Sequence, residues 1–307
     1  MKKCVIIMNP ESGQKKNKEN INKIYDILRK YDYDTEIKFT KKRLDAKNIV
    51  LDLEDDIDLV ISAGGDGTLN EVVTGNLLRK ERLPLANLPL GTTNDVATMY
   101  GLHGSVFHKL EQLLQGQMKK IDIIKINGNP FVYVACLGDY TDMAYKTPRE
   151  LKKKYGRIAY ILYGFKQLRN KIHQYNIKYT IDGKEYEGVY SFIFVTNSSR
   201  VAGMDDIYYD VKLNDSKFEV ALARVENKKD MLKMLVLIST KDIKDIPDIT
   251  YFQTDNFEIE FESLPKTSWC IDGEELKSNS RKFHFEVDKS TTMLMPKENI
   301  KKLFESE

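Results

Sequence analysis

Cysteine is scarce, with three in 307 residues. Cys4, Cys136 and Cys270 are odd in number and far apart along the chain, with no C-x-x-C pair and no histidine at zinc spacing. That pattern excludes a disulfide framework and suits a reducing cytoplasm. Histidine is scarce as well: His103, His108, His173 and His284 are scattered and give no sign of metal ligation. Long apolar runs are missing. Apolar runs such as residues 192–195 and 235–238 fall far short of the roughly 20 residues needed to span a bilayer. The opening residues are basic and then apolar over 4–8, and Asn9-Pro10 stops the run, so they read as a first strand and not as a signal peptide. There is no excess of one charge either. Lys and Arg number 48 against 46 Asp and Glu, for a net charge of +2. No global basic field points to nucleic acid, which is not expected as a partner, and no acidic field opposes a phosphate ligand.

Hydrophobic residues at 41% and charged residues at 31% place the chain among folded, soluble proteins. At roughly 150 residues per domain, its length suits about two domains. Up to about residue 125, apolar runs at 4–8, 35–40, 57–62 and 85–88 alternate with helical patterns. In the first of these, Ile21, Ile24, Tyr25, Leu28 and Tyr31 recur at three- and four-residue spacing. Helices are expected also at 46–53, 69–79 and 95–99. This alternation predicts an α/β fold, a doubly wound parallel sheet with ligands at the carboxyl ends of its strands. From residue 126 to about 290 short strands take over, at 131–136, 177–181, 190–196, 218–224, 257–261, 269–271 and 283–287, with turns at Asp182-Gly183 and Asp272-Gly273. They predict a mainly antiparallel β-sandwich domain, interrupted by helical stripes at 158–172 and 228–239. Residues 291–307 read as a C-terminal tail returning to the first domain, its end amphipathic from Ile300.

Three loops carry candidate chemistry. Asn9-Pro10-Glu11-Ser12-Gly13 links the first strand to the first helix, where free N–H groups and a glycine suit an anionic phosphate. Ala63-Gly64-Gly65-Asp66-Gly67-Thr68-Leu69-Asn70-Glu71 leaves the third strand and enters a helix. Its glycines let a bulky group press against backbone, and an aspartate among them calls for a magnesium ion or a reacting hydroxyl beside the phosphate. It is neither G-x-G-x-x-G nor a Walker A loop. Pro89-Leu90-Gly91-Thr92-Thr93-Asn94-Asp95 joins the fourth strand to its helix. Taken alone, Asn94 and Asp95 there read as helix caps. Three such loops at successive strand ends would line one crevice.

These motifs, in this order, resemble the diacylglycerol kinase catalytic-domain family and especially its soluble bacterial lipid kinases. The likeness continues through Thr141-Asp142, Tyr145, Thr147-Pro148, Gly156 and Ala159-Tyr160 to Asp272-Gly273-Glu274. The resemblance implies a nucleotide-binding α/β domain, a β-sandwich domain, a substrate cleft between them, and transfer of the ATP γ-phosphate to a lipid hydroxyl, diacylglycerol first among candidates. It implies ATP contacts from Asn9, Pro10, Glu11, Ser12, Gly13, Thr40, Gly65, Asp66, Gly67, Thr68, Leu69, Asn70, Glu71 and Thr92. Asp66 and Asp95 would help hold Mg2+ and align the phosphates, and Glu274 corresponds to the proton acceptor. Phosphoryl transfer asks for such a set, because it depends on positioning, charge neutralisation and a carboxylate for the hydroxyl proton. Without the resemblance, Glu274 would read as an exposed hairpin acid.

The chain departs from the family where an Asp-Gly pair and nearby carbonyls hold a structural magnesium. The stretch here is Lys212-Leu213-Asn214-Asp215-Ser216-Lys217, with serine for glycine, preceded by Gly203-Met204 and Tyr209-Asp210-Val211. Asp215 keeps the carboxylate, so the resemblance assigns this site to Asp215 with Lys212 and Lys217. A lipid kinase must also visit a membrane. Residues 146–171 hold nine basic residues against one acid, enough for transient attraction to an anionic surface at about 1 kcal/mol each. The expected location is cytoplasmic, peripheral to the inner face of the membrane. Oligomeric state stays open, a homodimer included. The alternatives are an NAD kinase-like enzyme, which shares Gly-Gly-Asp-Gly-Thr, and a catalytically silent kinase relative that binds lipid or nucleotide.

Overall fold

The computed structural model describes residues 1–12, 18–91, 94–139, 172–200, 208 and 211–305. Gly13, Thr92, Thr93, the family motifs in 141–160, the basic stretch 146–171, the stripe over 158–171, Gly203-Met204 and Tyr209-Asp210 lie outside the described residues. The chain divides into two compact units. Met1–Asp122, Leu213–Asp215 and Lys289–Glu307 form the first, and Ile123–Lys212 with Ser216–Asp288 forms the second.

Strands and helices alternate in the first unit: β1 (Lys2–Met8), α1 (Lys18–Lys30), β2 (Tyr33–Phe39), α2 (Asp45–Leu51), β3 (Leu59–Gly64), α3 (Asp66–Leu77), β4 (Leu85–Pro89), α4 (Asp95–Met99) and α5 (Val106–Leu114). The strand order is β2-β1-β3-β4, all parallel. Val5, Ile6 and Ile7 of β1 and Leu59, Val60 and Ile61 of β3 are buried without alternation, as strands covered on both faces require. Ile24, Ile27 and Leu28 from α1 and Leu110 and Leu113 from α5 pack into the same core as Ile6 and Ile61. The order reverses between β1 and β3, so the loops leaving these two neighbours flank a topological switch point, where open α/β sheets bind ligands.

One boundary differs from the sequence expectation in a way that matters. The third strand runs on to Gly64 and the helix begins at Asp66, not at residue 69. The glycine loop is therefore a single extended residue, Gly65, at φ −93°, and Asp66 to Glu71 form the opening turns of α3.

β5 (Gln117–Ile126) leads into the second unit, which holds β6 (Asn129–Phe131), β7 (Val134–Gly138), β8 (Tyr175–Ile181), β9 (Lys184–Tyr190), β10 (Phe192–Thr196), β11 (Phe218–Ala223), α6 (Lys228–Thr240), β12 (Ile249–Thr254), β13 (Asn256–Phe261), β14 (Trp269–Ile271) and β15 (Glu274–Leu276). β16 (Lys282–Met295) and α7 (Ile300–Leu303) follow. β16 opens antiparallel to β13, which continues to β8 and β9. Its far end runs parallel to β4 in the first unit, through Met293 opposite Leu85. A second antiparallel sheet has the order β12-β11-β10-β7-β14-β15. Tyr175, Ile177, Phe257, Phe261 and Phe285 from one sheet meet Leu137, Ile193, Val220, Leu222 and Trp269 from the other in one core, which makes this unit a β-sandwich.

Several strands differ from expectation, each for a local reason. Residues 131–136 are not one strand: Val132 and Tyr133 interrupt it, and their N–H groups donate to the Asp272 carboxylate instead of a ladder. β9 has almost no buried residue, so it shows no apolar alternation although it pairs with β8 along its whole length. β16 extends beyond residue 287 to Met295 because polar residues from Asp288 to Thr292 remain in extended backbone. Among the described residues no helix is long and apolar enough to cross a membrane.

Phe285 is fully buried, with its ring 5.2 Å from Trp269 and 5.6 Å from Phe257. Phe285→Ala should therefore cost about 3–5 kcal/mol, read as a lowered urea midpoint with circular dichroism following the strands. Cys4 is buried, and burial pushes its thiol from the ordinary 9.0 up to about 12. A raised folded-state value means this contribution is complete below 9.0 and is lost as pH climbs toward 12. Between about pH 8 and pH 10 the wild type should lose more stability than Cys4→Val, in paired urea titrations.

Candidate active site

The carboxyl ends of the first-unit strands are tied together through backbone. Asn9 N–H donates to the Ala63 carbonyl at 3.0 Å, and Thr40 N–H donates to the Met8 carbonyl at 3.0 Å. The Asn9 side chain accepts from Glu11 N–H at 2.9 Å, and its carbonyl accepts from Ser12 N–H at 3.1 Å. Asn9, Pro10, Glu11, Ser12 and buried Thr40 thus sit at the ends of β1 and β2.

The second and third loops are in direct contact. The Gly64 carbonyl accepts from both Leu90 N–H (2.7 Å) and Gly91 N–H (3.1 Å). A Cβ on Gly91 would lie 2.7 Å from Gly65 Cα and 2.7 Å from Asn94 Oδ1, so glycine at 91 is what allows the approach. Asn94 takes left-handed backbone at φ 48° and closes the turn by donating from Nδ2 to the Gly91 carbonyl at 2.7 Å. The outcome is a pairing of the two predicted acids. Asp66 Oδ2 accepts the Asp95 N–H at 3.0 Å, with Asp95 buried. Each acid opens a helix, α3 and α4, and a carboxylate is the kind of hard oxygen donor a divalent cation takes.

Gly65 differs from Gly91 in the space around it. A Cβ there would meet only Gly91 Cα at an ordinary 3.6 Å, and φ −93° is open to any residue. Packing does not demand glycine at 65. What its absence of side chain leaves is bare backbone at the start of α3, the surface a phosphate uses. Downstream, Thr68 is buried with its N–H on the Gly65 carbonyl at 3.0 Å. Leu69 is wholly buried, so it can offer a ligand only backbone. Asn70 accepts from Thr74. Glu71 has structural work: its carboxylate accepts Leu44 N–H (2.9 Å) and Ala46 N–H (3.2 Å), holding the start of α2. Sequence spacing gave no signal for that contact.

In the second unit, Asp272 and Gly273 both have positive φ, 47° and 86°, the type I′ geometry of a two-residue hairpin. Asp272 is the residue that sequence reasoning undervalued. Its buried carboxylate accepts Val132 N–H at 2.6 Å, Tyr133 N–H at 3.0 Å and Val134 N–H at 3.1 Å. Glu274 follows at the exposed start of β15 on a hairpin that Asp272 anchors. At 212–217, Ser216 adopts φ 66°, the left-handed backbone for which the family uses glycine, so serine there preserves the turn at a conformational cost. No cluster of three or more His, Cys, Asp or Glu side chains arranged for a metal occurs among the described residues.

A parallel α/β unit with two acids at its strand ends, followed by a β-sandwich, defines a class of two-unit α/β-plus-β-sandwich proteins. Comparison with known proteins places it more closely. Residues 3–126 match the family model described as the diacylglycerol kinase catalytic domain. A Staphylococcus aureus diacylglycerol kinase (strain bovine RF122 / ET3-1) is 30% identical over 274 residues, covering 89% of this chain and 86% of that one. One from Staphylococcus saprophyticus is 30% identical over 275 residues, covering 89% of each. The crystal structure of a diacylglycerol kinase from Bacillus anthracis str. Sterne superposes with a TM-score of 0.78 at 26% identity, over 96% of this chain and 97% of that one. The chain belongs to the diacylglycerol kinase family.

The two glycines should respond differently to alanine. Gly91→Ala should lower stability by about 1–3 kcal/mol through the forced separation of the loops. Gly65→Ala should leave the urea midpoint within about 0.5 kcal/mol of wild type and act instead on ligand affinity.

Proposed function

We propose that the protein is a lipid kinase that uses ATP and magnesium, transferring the γ-phosphate to a lipid hydroxyl, with diacylglycerol the first substrate to test and phosphatidic acid its product. The observation that carries the reading is the Asp66–Asp95 pairing beside Gly65, where packing makes no demand for glycine. Family membership supports kinase chemistry.

In this reading the ends of β1 and β2, with Asn9, Ser12 and Thr40, receive the nucleotide, and the backbone from Gly65 to Thr68 cradles its phosphates. Asp66 and Asp95 have the hard oxygen donors that magnesium takes. The bound ion would neutralise phosphate charge and hold the transferring group in line. The start of α4, and with it Asp95, is held by the hydrogen bond from the Asp95 N–H to the Asp66 carboxylate. Glu274, carried over from the family, receives the hydroxyl proton, and Asp272 fixes the hairpin that presents it. For the structural magnesium, Asp215 supplies a carboxylate and Ser216 keeps the left-handed turn, with the Lys212 and Lys217 carbonyls as further donors. The lipid is met at a membrane surface, for which the basic residues of 146–171 are the sequence-level candidate.

The test is purified protein with γ-labelled ATP, magnesium and a total lipid extract, followed by identification of the labelled lipid. Label is expected in phosphatidic acid. Asp66→Ala should abolish it, and Glu274→Gln should lower kcat by about 10²–10⁴-fold with little change in KM for ATP. Turnover of NAD without a labelled lipid would overturn the reading.

A further inference from the structure

Cys136 on β7 and Cys270 on β14 lie directly opposite each other in the antiparallel ladder. Asp272 N–H donates to the Val134 carbonyl at 2.9 Å, which makes that pair a hydrogen-bonded one. Two residues along, Cys270 and Cys136 are then a hydrogen-bonded pair too, with Cα atoms about 5.5 Å apart. Disulfides bridge Cα separations of roughly 4.4–6.8 Å. Ala135, Leu137 and Trp269 point into the sandwich core, so alternation puts both thiols on the opposite face of this sheet. Both are reduced, Cys270 buried and Cys136 half-buried.

We propose that Cys136 and Cys270 form a redox-sensitive pair that closes to a cross-strand disulfide when a small peroxide reaches Cys136. The Cys136 thiolate attacks the peroxide O–O bond, forming a sulfenic acid and releasing one water once its protons are counted. The Cys270 thiolate then attacks the Cys136 sulfur and displaces the hydroxyl as a second water. The thiols together lose two electrons and two protons, and one hydrogen peroxide becomes two waters.

The geometry makes the bond reversible. Opposite residues in a hydrogen-bonded pair have Cβ atoms near the wide end of about 4.5–5.5 Å, whereas a disulfide prefers about 3.8 Å. Closing it pulls β7 and β14 together, and strained disulfides are the readily reduced ones. A hydrogen bond to Cys270, followed by burial, holds the Cys136 thiol well above its ordinary value. Oxidation therefore proceeds through a small thiolate fraction. Asp272, two residues from Cys270, grips Val132 to Val134 and bears the hairpin with Glu274, so the strain is delivered to that turn. The effect on phosphate transfer rests on the reading of Glu274 above, whereas the disulfide does not.

The experiment treats the full chain with hydrogen peroxide, alkylates the remaining thiols after denaturation, and maps peptides by mass spectrometry without reduction. A Cys136–Cys270 linked peptide is expected, lost on adding dithiothreitol, with Cys4 alkylated. Alkylation of both thiols, or their pairing with Cys4 or with a second chain, would overturn the proposal. In a parallel assay, oxidised wild type should lose most of its lipid phosphorylation and regain it with dithiothreitol, while Cys136→Ser and Cys270→Ala keep theirs. An equal loss in both variants would overturn control of the turn. Reduced protein inert toward every lipid would overturn the kinase reading instead, and the peptide map of the wild type would still decide the disulfide.

Discussion

The carbonyl of Gly64 holds the first unit's site together. By accepting from Leu90 and Gly91, it binds the end of β3 to the turn after β4 and brings Gly91 against Gly65, an approach that a single Cβ would prevent. Everything distinctive about the site follows from that approach. It places Asp95 N–H on the Asp66 carboxylate, sets two acids side by side at helix starts, and leaves the backbone of Gly65 bare.

The second unit solves a related problem with one side chain. Val132 and Tyr133 leave the ladder between β6 and β7, and without a partner their N–H groups and that of Val134 would be orphaned inside the protein, at a penalty of about 1–3 kcal/mol for each. The Asp272 carboxylate takes all three. The same residue occupies the left-handed position of a type I′ turn, so a local backbone preference and a long-range clamp coincide at one aspartate. Exposed Glu274 acquires a defined place because its predecessor by two residues is buried.

Much of the fold was legible in the sequence. Continuous apolar runs such as 4–8 reveal strands covered on both faces, and the three- and four-residue spacing of Ile24 and Leu28 reveals a helix face. β9 was not legible, because an edge strand with almost no buried residue carries no periodic signal. The candidate site divides in the same way. Asp66, Asp95 and Glu274 stood out by motif, but the occupation of Glu71 at the start of α2, the grip of Asp272 and the meeting of Cys136 with Cys270 depend on contacts between distant positions. The true start of α3 at Asp66 was missed because helix propensity counts Gly67 against a helix, while the tertiary contacts of Gly64 and Gly65 outweigh that preference.

By itself, the sequence determined which segments alternate as strand and helix, where the chain turns from parallel to antiparallel pairing, and which acids are set among glycines. Those properties are local: each depends on residues within a few positions of one another, through side-chain periodicity and allowed backbone angles. Tertiary structure alone decided which acids touch, which glycine is needed for packing and which is left for a ligand, and which thiols face each other. Those outcomes depend on strand register and on distances between backbones remote in sequence: a one-residue slip of β14 against β7 would turn Cys270 to the other face of the sheet, away from Cys136.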